Sequence, residues 1–234
     1  MSKNFTGWDV IADKGFGIST GKYFCNENDL ANGIYQSISR SLDPQKDDVI
    51  CDLACGSGIY HKMISESGAH LFGVDSSVRQ IEEATLRNPS GIYISKSILD
   101  NSLTKFLKAI QPNKVILNSF IHYLDDATLD RLITNICKVS TVEKILIGDI
   151  PIKEMKEKFK KNRSLFRGIK FFFMRILTGV LVGKFLSNLE TRNYTIGELE
   201  KLAKVKNLNF KWIKQDSRQQ FYNTRADLLL SRDF

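Results

Sequence analysis

The stretch from Val49 to Gly58 reads VICDLACGSG, and it decides the expected fold of this chain. It is an apolar, strand-like run that breaks into small residues and glycines. A second apolar run, LFGVD over Leu71–Asp75, ends in an acid. A strand, a glycine turn and a carboxylate about 20 residues further on are typical of a first βαβ unit that binds a nucleotide. We therefore expect a ligand that contains adenosine at this turn.

The glycine turn departs from the pattern of dinucleotide-binding proteins. Their third glycine lets the helix and strand pack beside a pyrophosphate, whereas here Gly56-Ser57-Gly58 leads into His61 without another glycine. Asp52 stands at the end of the first strand, where it would repel a pyrophosphate. A carboxylate can instead accept hydrogen bonds from an ammonium group, directly or through water. These features favour a ligand with a zwitterionic amino-acid tail.

At these residues the chain resembles the class I S-adenosylmethionine-dependent methyltransferases, whose first motif reads much like Asp52–Gly58. The resemblance continues through GVDSS at Gly73–Ser77 and VILNSFIHYL at Val115–Leu124. It covers residues 48–150 well and the C-terminal strand pair loosely. Three motifs in the right order and spacing are specific. The resemblance implies an enzyme with S-adenosylmethionine as cofactor and S-adenosylhomocysteine as product.

The resemblance also implies which residues bind the cofactor. In the family, two glycines let the backbone approach the methionine part, and the acid at Asp75 takes both ribose hydroxyls. A carboxylate suits this task because it has two acceptor oxygens. Many members contact adenine with an acid where this chain has Ser97, so the contact is open between Ser97 and Asp100. The expected set is Asp52, Ala54, Cys55, Gly56, Gly58, Asp75, Ser76, Ser97, Ile98 and Asn118.

Residues just past the fourth and fifth strands are candidates for the acceptor side. His122 is the expected general base for a hydroxyl acceptor, because its ordinary pKa suits proton removal near neutrality. In similar methyltransferases a histidine here is often structural or lines the pocket, and that alternative stays open. Tyr123 and Asp149 face the same expected crevice and would orient substrate. For Asp149, the alternatives are a helix cap and a water contact.

Alternating strand-like and helix-like runs predict an α/β fold. We expect a doubly wound, mostly parallel seven-stranded sheet with helices on both faces and an antiparallel C-terminal strand. Strands are expected near 48–53, 70–74, 91–95, 114–118, 143–149, 209–214 and 226–231, the last two as a hairpin. Helices are expected near 28–41, 59–67, 77–87, 101–110, 126–138 and 195–206, with Thr195 and Glu198 forming a capping box.

The chain is expected to form a single methyltransferase domain over residues 1–234. Its parts are an N-terminal cap or lid (1–47), a Rossmann-like cofactor-binding core (48–150), a basic and apolar helical insertion (151–194), and a C-terminal helix and strand pair (195–234). In the first part, Trp8, Phe16 and Tyr23 either fold over the cofactor or anchor the segment by hydrophobic contacts.

Cysteine usage and the N-terminus predict a cytoplasmic protein. Cys25, Cys51, Cys55 and Cys137 lie far apart or on expected core elements, which indicates reduced thiols and no disulfide scaffold. Cys51 and Cys55 lack a second ligand pair, so no metal site is expected. The first residues are polar and of mixed charge, unlike a signal peptide.

The positive charge is concentrated in the insertion. Residues 153–184 hold ten basic and two acidic residues, a net charge of +8, which equals the net charge of the whole chain. Basic residues mixed with aromatic and aliphatic ones are typical of a peripheral contact with an anionic membrane, here through 153–186. The alternative is a substrate-covering subdomain or a contact between copies of the chain. A nucleic-acid partner is disfavoured because the patch is interrupted by a long hydrophobic stretch.

The leading functional hypothesis is a methyltransferase acting at oxygen on a small molecule or on a sugar or lipid-linked acceptor. A small-molecule N-methyltransferase is the near alternative, since both acceptors can use this scaffold. A non-catalytic, methyltransferase-like partner subunit is the third hypothesis. The intact Gly56, Gly58 and Asp75 argue against it, because a degenerate subunit has no need of cofactor contacts.

Overall fold

The sheet has seven strands in the order β3-β2-β1-β4-β5-β7-β6. The computed structural model describes residues 26–161, 191–219 and 221–232. Within these ranges β7 runs antiparallel to both of its neighbours, and the pairings among β1 to β5 are parallel. The predicted sheet, including its C-terminal hairpin, is confirmed. The strands are β1 (Val49–Leu53), β2 (His70–Asp75), β3 (Ile92–Ser95), β4 (Lys114–Asn118), β5 (Lys144–Pro151), β6 (Asn209–Lys214) and β7 (Arg225–Ser231).

The helices of the described ranges fall close to their predicted positions. Thr195 begins the last of them, its side chain accepts from the Glu198 backbone N–H, and the reciprocal bond completes the predicted capping box. A 3-10 turn, Ile121–Tyr123, follows β4. The helices are α1 (Glu27–Ser41), α2 (His61–Ser65), α3 (Val78–Arg87), α4 (Leu103–Ile110), α5 (Asp126–Cys137), α6 (Lys153–Lys161) and α7 (Ile196–Val205).

Both faces of the sheet are buried, because successive strand residues point to opposite sides. Ile50 and Ile116 pack on one face against α1 and α2. Cys51 and Val115, their chain neighbours, pack on the other face against α4, α5 and α7. This arrangement explains why the central strands read as continuous apolar runs. The predicted layers of helices on both faces are confirmed.

The insertion after β5 is described only at its two ends. Its first part forms α6, and Ile152 pairs with Tyr194 in an isolated bridge that closes the base of the insertion. The rest of the predicted insertion, 162–190, and the predicted lid residues Trp8, Phe16 and Tyr23 lie outside the described residues. No helix in the described part of the chain is long and apolar enough to cross a membrane.

The strand order reverses at β1, which lies between β2 and β4. In open α/β sheets, ligands bind outside the carboxyl ends of the strands at such a switch point. The loops after β1, β2, β4 and β5 therefore form the rim of the candidate site.

Candidate functional site

The loop after β1 bends through three left-handed residues, Ala54, Gly56 and Gly58, with φ of 61°, 54° and 62°. The two glycines differ in their surroundings. A Cβ on Gly58 would lie 2.5 Å from Nδ1 of His61, so this glycine is needed for packing. A Cβ on Gly56 would meet only Oε1 of Gln80, at 3.6 Å. The backbone at Gly56 is thus open to the close approach of a ligand.

Asp75, at the end of β2, is bonded to this loop. Its Oδ2 accepts the backbone N–H of Gly56 and its Oδ1 accepts that of Ser77, both at 2.9 Å. Burial raises the pKa of Asp75 above its ordinary value, although the bonds from Ser77 and Gly56 act in the opposite direction. Each carboxylate oxygen keeps a lone pair for a further donor. Asp75 therefore presents two fixed acceptors at the switch point.

Asp52 is fully buried at the end of β1. Its Oδ2 accepts from the hydroxyl of Tyr60 and from Nε2 of His61, the latter at 2.8 Å. Its Oδ1 has no hydrogen-bond partner among the residues that the structure describes. A buried carboxylate oxygen without a donor is costly, so this atom fits a ligand or water that supplies an N–H or O–H.

The residues around Asp52 form a hydrogen-bonded chain that the sequence did not predict. Asn88 Nδ2 donates to the hydroxyl of Tyr93 at 3.1 Å, and that hydroxyl lies 3.0 Å from Nδ1 of His61. Burial raises the pKa of Tyr93 to about 12 and that of Tyr60 well above its ordinary value, so both hydroxyls stay protonated donors. With a proton on Nε2, His61 donates to Asp52 and accepts from the hydroxyl of Tyr93 at Nδ1, so each bond of the chain has one donor and one acceptor.

Cys51 and Cys55 are buried free thiols beside this loop. Burial raises the pKa of both thiols well above the ordinary range, and the neighbouring Asp52 raises it further. Neither is a thiolate near neutral pH, so they act as small packing groups there. Groups of three or more residues able to hold a metal ion are absent from the described residues.

The residues predicted to lie near the ribose and adenine differ in their exposure to solvent. Ser76 and Ser97 are exposed, and the Oγ of Ser97 accepts from the backbone N–H of Leu99 at 3.3 Å. Ile98 is buried in the core. Asp100 is exposed, and its Oδ1 accepts the backbone N–H of Ser102 at 2.7 Å, which lowers the pKa of Asp100. The choice between Ser97 and Asp100 for the adenine contact stays a prediction.

Asn118 ends β4, and the 3-10 turn that carries His122 and Tyr123 follows it. Asn118 is half-buried against Gly148 of β5. His122 is 3% exposed, and its ring centroid lies 4.2 Å from that of Tyr123. Burial raises the pKa of Tyr123 to about 12, so its hydroxyl is a hydrogen-bond donor near neutral pH and a poor base.

Asp149 connects the ends of β4, β5 and β7. It has φ of 59° and is 1% exposed, within a bulge in the pairing of β5 with β7. Its Oδ2 accepts from Oγ of Ser119 at 2.7 Å and from Nη1 of Arg225 at 2.6 Å. The structure thus shows Asp149 in an ion pair with a strand residue, which was not among the alternatives left open for it.

A second buried carboxylate, that of Asp227, binds the backbone of Asp149. Oδ1 of Asp227 accepts the backbone N–H of Asp149 and Nε2 of Gln215, both at 2.8 Å. Burial raises the pKa of Asp227. Sequence reasoning missed Ser119, Gln215, Arg225 and Asp227. A signal was available for Arg225 and Asp227, because they are charged residues that begin and interrupt the apolar run of β7, and charged residues are rarely buried in a strand without a partner.

Solved structures of methyltransferases share this fold. A Nostoc punctiforme protein assigned as an O-methyltransferase has a TM-score of 0.60 at 17% identity, over 99% of this chain and 62% of its own. A Listeria monocytogenes protein assigned as an S-adenosylmethionine-dependent methyltransferase has a TM-score of 0.59 at 16% identity, over 87% and 98%. Magnesium protoporphyrin IX methyltransferase from Synechocystis PCC 6803, with bound S-adenosylmethionine, has 0.57 at 10%, over 100% and 86%.

No protein-family model and no curated protein sequence matches the chain. The structural likeness therefore establishes the fold, which is that of the class I S-adenosylmethionine-dependent methyltransferases.

Proposed function

We propose that this chain is an S-adenosylmethionine-dependent methyltransferase acting on a small molecule or on a sugar or lipid-linked acceptor. The observation that supports it best is the carboxylate of Asp75, held at the switch point by the backbone N–H groups of Gly56 and Ser77. Two adjacent acceptors with free lone pairs suit the two vicinal hydroxyls of a ribose.

The residues around Asp75 fit the rest of such a cofactor. The unpartnered, buried Oδ1 of Asp52 suits an ammonium donor, directly or through water. The open side of Gly56 leaves room for the amino-acid tail. Ser97 or Asp100, in the segment that follows β3, would accept from the adenine amino group. When bound, the cofactor supplies an electrophilic methyl group on a sulfonium.

The acceptor side suits transfer to oxygen. Methyl transfer is an in-line displacement, so these residues mainly align the acceptor and keep out water. His122 would take the proton of a hydroxyl acceptor, and the protonated Tyr123 would donate a hydrogen bond that orients it. Asn118, the last residue of β4, would contact the cofactor next to this acceptor side. An amine acceptor would need His122 less.

Calorimetric titration with S-adenosylhomocysteine tests the proposal. We expect one-site binding to ligand-free protein. Asp75→Asn keeps the shape of the side chain but loses its charge, and should weaken binding by on the order of 1–3 kcal/mol. Glu82→Gln removes an exposed carboxylate from the nearby helix α3 and serves as the matched control.

Each outcome of this titration has a distinct meaning. Equal affinity of Asp75→Asn and Glu82→Gln would remove Asp75 from the cofactor site. No binding to ligand-free wild-type protein would reject the enzyme and favour the non-catalytic partner subunit.

A further inference from the structure

We propose that Arg225 and Lys156, at the edge of the candidate site, bind a phosphate monoester group of the methyl acceptor. The inference rests on the proposed function and names the class of substrate for that site. It follows from the positions of the Arg225 guanidinium and the Lys156 ammonium, from the small number of acids paired with them, and from the N–H donors that Arg225 keeps for a ligand.

Arg225 is placed at the site edge by the topology of the sheet. It begins β7 and pairs with Pro151, the last residue of β5, so it lies where the parallel strands end. Its guanidinium stacks on the ring of Phe221 at 4.5 Å and is 17% exposed. Among the described residues its hydrogen bonds go through Nη1, to Asp149. A guanidinium has five N–H donors, so further donors remain for a ligand.

Lys156 is held close to Arg225 by the start of α6. The backbone N–H of Lys156 donates to the carbonyl of Ile152 at 3.0 Å, and the N–H of Ile152 donates to that of Thr224 at 3.1 Å. The Lys156 ammonium is half-buried and donates to Oδ1 of Asn193. Burial lowers the pKa of Lys156, and the positive charges of Arg225 and Lys160 lower it further.

The charges at this edge do not balance. Arg192, by comparison, is paired with both Asp126 and Glu198. Arg225 is paired with Asp149 alone among the described acids, and Asp149 also accepts from Ser119. Lys156 forms no ion pair with an acid in the described part of the chain, and the charges that lower its pKa are the positive ones of Arg225 and Lys160, so this edge has a surplus of positive charge.

A phosphate monoester matches this surplus better than other anions. It carries a charge of about −1.5 to −2 near neutral pH and three strong acceptor oxygens, whereas a carboxylate carries a single charge. Arg225 offers a planar pair of N–H donors and Lys156 a point charge, which are the two ways that proteins bind phosphate.

Titration with inorganic phosphate at constant ionic strength tests the site. We expect saturable binding to the wild-type protein, weakened about tenfold or more in Lys156→Met, because a charged hydrogen-bond partner is lost. Lys158→Met removes an exposed lysine from the same helix and should bind phosphate like the wild type. Equal affinity of the two variants, or no saturable binding to the wild type, would overturn the inference.

The same three proteins should bind S-adenosylhomocysteine equally, which separates this inference from the proposed function. Phosphate binding without cofactor binding would reject the methyltransferase and with it the acceptor role of the site. Cofactor binding with equal phosphate affinity in both lysine variants would reject the phosphate site alone.

Two further probes distinguish the source of the phosphate. Glycerol phosphate that competes with inorganic phosphate, without capture by phosphatidic acid vesicles, would support a soluble acceptor. Vesicle capture that Lys156→Met loses and Lys158→Met keeps would support a lipid headgroup. If the vesicles capture both Lys156→Met and Lys158→Met, and both variants bind phosphate like the wild type, the result would count against the site.

Discussion

Gly58→Ala should destabilise the protein far more than Gly56→Ala, although both glycines have nearly the same backbone conformation. Their φ angles are 62° and 54°. An alanine in the left-handed region costs about 1–2 kcal/mol at either position. At Gly56 nothing else is lost, because the new Cβ would lie 3.6 Å from its nearest neighbour.

At Gly58 the new methyl group would collide with a side chain that cannot easily move. It would lie 2.5 Å from Nδ1 of His61 and 3.0 Å from Cγ. The imidazole is fully buried and bonded to Asp52 and Tyr93, so displacing it breaks at least the bond to a buried carboxylate. Such a bond contributes roughly 1.5–3 kcal/mol. Together with the backbone term, the expected loss is about 2.5–5 kcal/mol.

Urea unfolding of the ligand-free proteins measures this difference. Gly58→Ala should lose about 1.5–3 kcal/mol more than Gly56→Ala. In the background of His61→Ala the clash is absent, so adding Gly58→Ala should cost only the backbone term, a coupling that a double-mutant cycle detects. Equal losses for the two glycine variants, or strict additivity with His61→Ala, would refute the reasoning.

Three further results are expected. Arg225→Met leaves the buried carboxylate of Asp149 without its cation and should lower the free energy of unfolding in urea by about 3 kcal/mol. The acid partners of Arg192 are exposed, so Arg192→Met should lower it by less than about 1 kcal/mol. Equal losses would contradict a buried pair. Because the pKa of Tyr123 is about 12 in the folded state and about 10 when unfolded, the native state binds this proton more tightly. The contribution of Tyr123 to the free energy of unfolding is complete below pH 10 and is lost as the pH rises toward 12, by up to about 1.4 kcal/mol per pH unit. The stability of Tyr123→Phe should therefore fall less steeply with pH than that of the wild type over this range. Equal pH slopes of the two proteins would contradict this. With a hydroxyl acceptor, His122→Gln should lower turnover about 100-fold or more and leave S-adenosylhomocysteine affinity unchanged, and unchanged turnover would remove it from the mechanism.

The secondary structure was predictable because its determinants are local. An apolar run bounded by glycine or by a helix cap identifies a strand or helix whatever it packs against. The strand Val49–Leu53 and the capping box at Thr195 are examples. The resemblance at Asp75 likewise led to a carboxylate at the switch point, although its bond to the Gly56 backbone became visible only in the structure.

The connections within the site were not predictable, because they join residues far apart in the chain. Arg225 is 76 residues from Asp149, and Tyr93 is 32 residues from His61. Neither pair has a spacing that marks it in a sequence. The left-handed backbone at Ala54 and Ser119 also escaped prediction, since residues other than glycine rarely adopt it.

The place of β7 in the sheet bears on how the protein is made. β7 pairs with β5 on one side and β6 on the other, yet it follows both along the chain. β5 is therefore synthesised before the strand that covers its edge, and until β7 pairs with it this apolar strand presents an open edge to neighbouring chains. A chain truncated before residue 225 would lack β7 and keep this edge of β5 open as a template for aggregation. A chaperone that covers β5 would matter most until β7 is in place.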